Sequence, residues 1–410
     1  AQASPASAGR RSQGARLRSG LRMLQDDPIV LRYPQYLPTE EEVNLAESLA
    51  QSPANAHLWE ALQQHVCIGG CPRSAMRRFC WQAREEHKLG RECAQGAVDW
   101  LRRCLEARRR LSMDTVLESS PLPPDFCELY TSTVPFSFHG TDRQGHPIYI
   151  VRYGAVDVKA FRHLWAEGEA LAAAMGLAAN AAVLFHLRAM EYLTKVVMHK
   201  ESKRQGRVVD RILTIMDVGG LGLQHVDGTL KTFLGGVSKE SVPLFPETLH
   251  AAVVAHAPWV LSRAAWPVAK RFMHPVTQAK FTVLASANEV RDKLLQDVDA
   301  DTLPPYLGGS CACAECLSGK LRGGSLWDWD HERAAQKNGV QKVAAPQRAL
   351  VAETDGKPEG VQPSSPLSQS QDFRSRKYRQ CLPGEEPRAQ LARQAECFSG
   401  LCWRLRERRP

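Results

Sequence analysis

The spacing of apolar residues divides the chain before any motif is sought. Positions 1–35 follow neither a helical nor a strand period and are rich in Arg, Ser, Gly and Ala, the pattern of a mobile arm. From "LPTEEEVNLAESLA" to "RRCLEARRRL" apolar residues recur at helical spacing, through Trp59, Leu62 and Val66 and again through Val98, Leu101 and Leu105. An acidic first turn at Glu40, Glu41 and Glu42 precedes them. Positions 36–120 are therefore expected to form a small all-α subdomain, closed by the proline-rich "ESSPLPPDF", which cannot continue a helix.

Over 121–310 the pattern changes. Short apolar runs ("HPIYIVRY", "RILTIMDV", "AAVVAHA", "KFTVLAS") alternate with longer helical stretches ("FRHLWAEGEALAAAM", "AVLFHLRAMEYLTKVV", "VLSRAAWPVAKRFM"), which predicts an α/β domain with a mostly parallel sheet. The runs are more apolar than alternating, as in strands covered by helices. A Cys-bearing extension occupies 311–332, and 333–410 turns Pro-, Ser- and Gln-rich, a low-complexity tail with the basic end "CFSGLCWRLRERRP". No internal repeat stands out, and the best apolar run, Leu171 to Phe185, is too short and alanine-rich to span a bilayer.

Composition sharpens this only in part. With 43% apolar and 24% charged residues, the 410-residue chain is of the globular class, and the formal charge of +9 gathers in arginines near both ends. Such arms suit anionic lipid or nucleic acid, but no aromatic and basic platform for nucleic acid is legible. Lacking an apolar leader core, the chain is expected to be cytoplasmic, its thiols reduced. "CACAEC" places Cys311, Cys313 and Cys316 close together; half of a zinc site is conceivable, with His331 as the only fourth ligand in reach, but a plain thiol-bearing loop is the favoured reading and no metal is expected. Signatures of catalysis are missing: no G-x-x-x-x-G-K-[ST], no G-x-S-x-G and no H-E-x-x-H. Asp217, a single carboxylate at a strand end, reads as structural.

The stretch "MHPVTQAKF" carries the one candidate anion site. Pro275 suits the first position of a helix, placing Thr277 in the first turn and Lys280 three residues on, beside unpaired amides. The same residues also fit an ordinary helix with a solvated lysine, and the stretch alone leaves both open.

Four segments, "RRFCWQAR", "HGTDRQGHPIYIVRYGAVD", "TIMDVGGLGL" with "FPETLHAAVVAHAPWV", and "HPVTQAKF" with "LPPYLGG", together resemble the CRAL-TRIO lipid-binding proteins, and among them the fungal and plant phosphatidylinositol/phosphatidylcholine transfer proteins. The resemblance implies an all-α subdomain before a sheet that floors an apolar lipid pocket, with a mobile gate helix and no covalent chemistry or cofactor beyond a bound phospholipid. Carried over residue by residue, it puts Arg84, Thr277 and Lys280 on the headgroup phosphate, Glu247 in the same network, and Tyr149, Tyr192 and Ser241 in the polar part of the pocket. Trp259, Trp266 and Phe272 fall on the gate. Departures are Glu85 for a lysine, His274 for a capping aspartate, and Phe138 and Gly222 where dual-specificity members carry hydroxyls, which implies an inositol-lipid site with an altered choline side. The chain is expected to act as a monomer, visiting a membrane peripherally, at the Golgi or plasma membrane, and Lys280→Ala is expected to lower transfer with little loss of folding. Two other readings fit the resemblance: a lipid-sensing regulatory protein, and a carrier of tocopherol, a retinoid or a sterol-like molecule. The cysteine-bearing extension is similar to one that plant members carry.

Overall fold

The computed structural model describes residues 32–225, 227–270 and 273–337. The chain divides into one unit of residues 1–331 with 396–410 and a second of 332–395, and of the second only 332–337, the end of a helix, is described. All of the described strands lie in the first unit.

Three long helices build the N-terminal part. Glu40–Ala50 begins with a reciprocal cap, in which the Glu42 amide donates to Thr39 Oγ1 and the Thr39 amide donates to the Glu42 carboxylate. Pro72–Glu85 and Gly90–Arg110 come next, the first with Pro72 at its opening position. Small buried residues, Ala46, Ala75, Ala83, Ala94 and Ala97, let these helices approach closely, and Leu62, Met76, Phe79 and Leu101 fill what is left. The long helix is tied to the sheet half by a buried ion pair: Arg108 donates two hydrogen bonds to Glu191, at 3.1 and 2.7 Å, and a third to Asp114 at 2.6 Å.

The sheet has six strands: β1 (Phe136–Thr141), β2 (Pro147–Arg152), β3 (Ile212–Asp217), β4 (Leu249–Ala255), β5 (Phe281–Val283) and β6 (Gly323–Gly324). Their order is β5-β4-β3-β2-β1-β6. Only β1 and β2 run antiparallel; every other neighbouring pair is parallel, the mixed α/β arrangement that the apolar runs predict. Two strands escape the sequence pattern. β1 loses its apolar alternation at His139 and Gly140, and β6 is a pair of glycines with no side chains to make a pattern. Gly324 has to be glycine: its φ is 56°, and a Cβ there would lie 2.3 Å from Ser137 Oγ and 2.6 Å from the Phe138 carbonyl.

Register sets the two faces of the sheet. On one, Ile148, Ile150, Leu213, Ile215, Val253 and Ala255 are buried against Val290 and Leu294 of the helix Ala287–Asp297. The other carries two rows of side chains, Phe138–Tyr149–Thr214–Ala252–Phe281 and Phe136–Val151–Met216–Val254–Val283. Helices Pro124–Thr133, Val158–Met175, Ala181–Tyr192 and Gly228–Leu244 supply the side chains packed over this second face.

Candidate functional site: a half-filled apolar face with a charged rim

The second face is filled unevenly. At its β1 and β2 end, Phe136, Phe138 and Tyr149 are buried beneath Tyr130, Phe185 and Phe233, with Tyr130 stacked on Phe185 at 4.2 Å between ring centroids. Toward β5 burial is mixed, with Ala252 and Val254 of β4 buried. Thr214 and Met216 on the central strand β3, and Phe281 and Val283 on β5, are only half-buried, although a central strand in a covered sheet ordinarily buries both faces. The helix Ala181–Tyr192 has the same asymmetry: every residue is buried except His186 and Met190, one turn apart on one side. Leu234 and Val237 of Gly228–Leu244 are half-buried as well. Met216 and Tyr153 pack against two apolar clusters, one under the helices and one beside Leu221, Leu261 and Phe281, and so join them. Burial pushes the Tyr153 hydroxyl up to about 12 and the His186 imidazole down to about 4, so both rings face an apolar medium in their neutral forms.

Beside β5 the segment expected to be the gate turns through a wide π-helical turn, Val260–Ala265, into the short helix Trp266–Ala269. Trp266 lies against Phe281 with ring centroids 5.6 Å apart. Trp259 is 72% exposed, a large apolar ring given to solvent. Phe272, assigned to the same gate, lies outside the described residues.

The rim is charged and closely paired. Pro275 opens the helix Pro275–Lys280 at its first position, and His274, its N-cap residue, makes no side-chain cap bond. That helix is only six residues long and runs directly into β5, so Lys280 sits at its end and is buried, with Thr277 half-buried on the turn before. Lys280 Nζ lies 2.8 Å from the Glu247 carboxylate and 5.1 Å from the centroid of Trp81. Glu247 holds a left-handed φ of 54°, an uncommon conformation for a non-glycine residue. Trp81 and Val276 pack with Tyr33, Tyr36 and Leu37, while His274 meets Tyr36 edge-on at 4.3 Å and Glu85 at 3.6 Å. Trp81 Nε1 and Gln82 Nε2 are buried without a hydrogen-bond partner among the described residues. Arg84, on the same helix as Trp81, donates instead to Glu42 at 3.0 Å and to the Gln35 carbonyl at 3.1 Å.

The structure thus brings Lys280, Glu247 and Trp81 together, keeps Thr277 on the same short helix, and engages Arg84 on a neighbouring face. Of the polar pocket residues, Tyr149 and Tyr192 flank Phe138, with ring centroids at 5.4 and 5.9 Å, and Tyr192 donates to the Ser325 carbonyl. Ser241 is elsewhere, on Gly228–Leu244, its hydroxyl buried without a partner among the described residues. Trp81 lies within "RRFCWQAR" but is not singled out there, and the filling of the β1 end by Tyr130, Phe185 and Phe233 depends on residues far apart in the chain.

The cysteine extension differs from the sequence reading in one respect, the histidine beside it. His331 donates to the Trp327 carbonyl at 2.8 Å and packs on the Trp327 ring rather than approaching the thiols. The imidazole near Cys311 and Cys316 belongs to His139 of β1, 172 residues from Cys311 in the chain, a distance at which spacing rules are silent.

Residues 131–309 match the CRAL/TRIO domain. Over 211 residues the chain is 29% identical to the phosphatidylinositol/phosphatidylcholine transfer protein SFH4 of Arabidopsis thaliana, covering 52% of this chain but 32% of that protein, so it spans about a third of that relative's length. It is 24% identical over 244 residues to the Sec14 cytosolic factor of Schizosaccharomyces pombe, covering 60% of this chain and 78% of that one. The crystal structure of Sfh5 is similar at a TM-score of 0.49 and 13% identity, covering 73% of this chain and 98% of that one.

Proposed function

From a chain that carries a CRAL/TRIO domain across residues 131–309, we propose a phospholipid-binding protein that takes up phosphatidylinositol at a membrane surface and exchanges or presents it without covalent chemistry. The observation that carries this reading is the half-filled second face of the sheet, apolar from Met216 to Val283. Beside it lie the buried Lys280 ammonium and the Trp81 indole N–H, which has no partner among the described residues. Two acyl chains hold on the order of thirty methylenes, each costing about 0.8 kcal/mol in water, so a phospholipid leaves a bilayer readily only if an apolar surface receives it. Thr214, Met216, Phe281 and Val283 are such a surface. The headgroup phosphate would lie toward Thr277, Lys280 and Trp81, sharing Lys280 with Glu247; Arg84 joins only by giving up one of its present acceptors. Phe138, packed between Tyr149 and Tyr192, has no phenolic hydroxyl to offer a choline headgroup, which favours inositol lipid over choline lipid. No described helix is long and apolar enough to cross a membrane, and the exposed Trp259 suits a transient, peripheral contact.

Native mass spectrometry tests the reading directly. The full chain is incubated with phosphatidylcholine vesicles containing phosphatidylinositol and re-isolated; one phosphatidylinositol per chain is expected, together with movement of labelled phosphatidylinositol between vesicles. Recovery of phosphatidylcholine alone, or of no lipid, would overturn it.

A further inference from the structure

We propose that His139 Nε2 and the thiolates of Cys311, Cys313 and Cys316 form a structural Zn2+ site that clamps the start of the 311–332 extension onto β1. The four donor atoms lie within 4.8 Å of one another. His139 Nε2 is 3.3 Å from Cys311 Sγ and 3.5 Å from Cys316 Sγ, and Cys313 Sγ accepts the Cys316 amide at 3.4 Å. Zinc bonds of about 2.3 Å to sulfur and 2.0–2.1 Å to nitrogen set tetrahedral donor separations of roughly 3.8 Å between sulfurs and 3.5 Å between sulfur and nitrogen, so a metal fits with little movement. All three cysteines are free. Cys311 and Cys316 are buried, and four protein donors leave no open position, the character of a structural rather than a catalytic centre. Three sulfurs and an imidazole favour zinc over a hard cation such as magnesium or calcium.

The surroundings hold the loop in place independently of a metal. Ser137 donates to the Glu315 carboxylate at 2.7 Å, and the amides of Arg322 and Gly324 donate to its other oxygen at 2.8 and 3.2 Å. Arg152 donates to the Gly319 carbonyl, placing a cation at the same loop against the net negative charge of a three-thiolate site. A metal bond would add to these contacts a direct link between the loop of Cys311, Cys313 and Cys316 and the strand carrying His139.

The test uses the full chain purified under reducing conditions, with metal analysis and Co2+ titration. About one zinc per chain is expected, with the intense visible absorption of Co2+ in a tetrahedral thiolate site. Since losing even a supporting contact weakens metal sites 10- to 100-fold, Cys313→Ser, at an exposed position, is expected to weaken zinc binding at least about 100-fold. Zinc binding equal in wild type and Cys313→Ser, an octahedral Co2+ spectrum, or a disulfide among these three cysteines in freshly isolated protein would overturn the proposal. Should Cys313→Ser aggregate, the wild-type Co2+ spectrum decides alone.

Discussion

Lys280 shows how a residue can be legible in type and misread in consequence. A lysine among apolar neighbours stands out in the sequence, and so does Glu247 in "FPETL"; their contact, across 33 positions, does not. Both side chains are nearly fully buried, 5% and 7% exposed, so removing one takes a charged partner from the other where water gives little compensation. Lys280→Ala is therefore expected to cost about 3–5 kcal/mol of stability, where the sequence had suggested little loss of folding. Lys280→Met combined with Glu247→Leu should recover most of it, because an apolar pair replaces an ion pair at similar volume. Arg84→Ala should be milder, since Glu42 keeps hydrogen bonds from the amides of Thr39 and Gly90. Urea midpoints of these variants and the wild type check the ordering; a Lys280→Ala loss below about 1 kcal/mol would mean that water reaches the pair. Transfer defects in the single variants must accordingly be normalised to the folded fraction, and the double variant is the cleaner probe of the anion site.

At the level of elements, the gate segment separates two kinds of tryptophan. Trp259 touches solvent and Trp266 touches Phe281, although the sequence offers the same residue in the same apolar context seven positions apart. The two rings flank the π-helical turn Val260–Ala265, Trp259 just before it and Trp266 just after, an irregularity with no local sequence signal. Trp259→Ala is expected to lower flotation with anionic vesicles several-fold while leaving stability within about 0.5 kcal/mol. Trp266→Ala should instead reduce stability by on the order of 1–2 kcal/mol, a fraction of the cost of a fully buried ring. Unchanged vesicle flotation in Trp259→Ala would remove the segment from the membrane contact. Strands show the same division of legibility: β2, β3 and β4 are apolar runs long enough to announce themselves, whereas β1 and β6 exist through pairing. Ser137 and Phe138 meet Gly323 and Gly324 only because the chain returns after the helix Ala287–Asp297, and the thiol cluster beside His139 comes from the same return.

Over the whole molecule, the alternation of runs was enough to set out an α/β sheet behind an all-α part, while the uneven filling of the sheet was beyond it, because emptiness is a property of packing among distant residues rather than of any one of them. That uneven filling also has a titration consequence. His186 points into the apolar interior beside Tyr149 and Phe233, and burial holds it down to about 4. His146, stacked on His250 at 4.0 Å, is likewise lowered by burial, with His250 and Arg211 adding positive charge and the Asp142 carboxylate, 2.9 Å away, opposing them. Unfolded histidines titrate near about 6.5. Both groups therefore bind protons more readily in the unfolded chain, and the stability they protect is complete above about pH 6.5 and lost as the pH falls below it. Asp142 shifts in the same sense at lower pH: burial raises it, but the hydrogen bond from His146 outweighs this and lowers its pKa, so its contribution is lost only as the pH falls through the carboxylate range. His186 alone should remove about 3 kcal/mol between about pH 6.5 and 4, visible in urea midpoints taken at half-unit pH steps. His186→Phe should flatten that slope while leaving the part due to His146 and Asp142, and a wild-type profile level from about pH 7 to 5 would show the His186 ring to be in contact with bulk water, against an apolar chamber at this face.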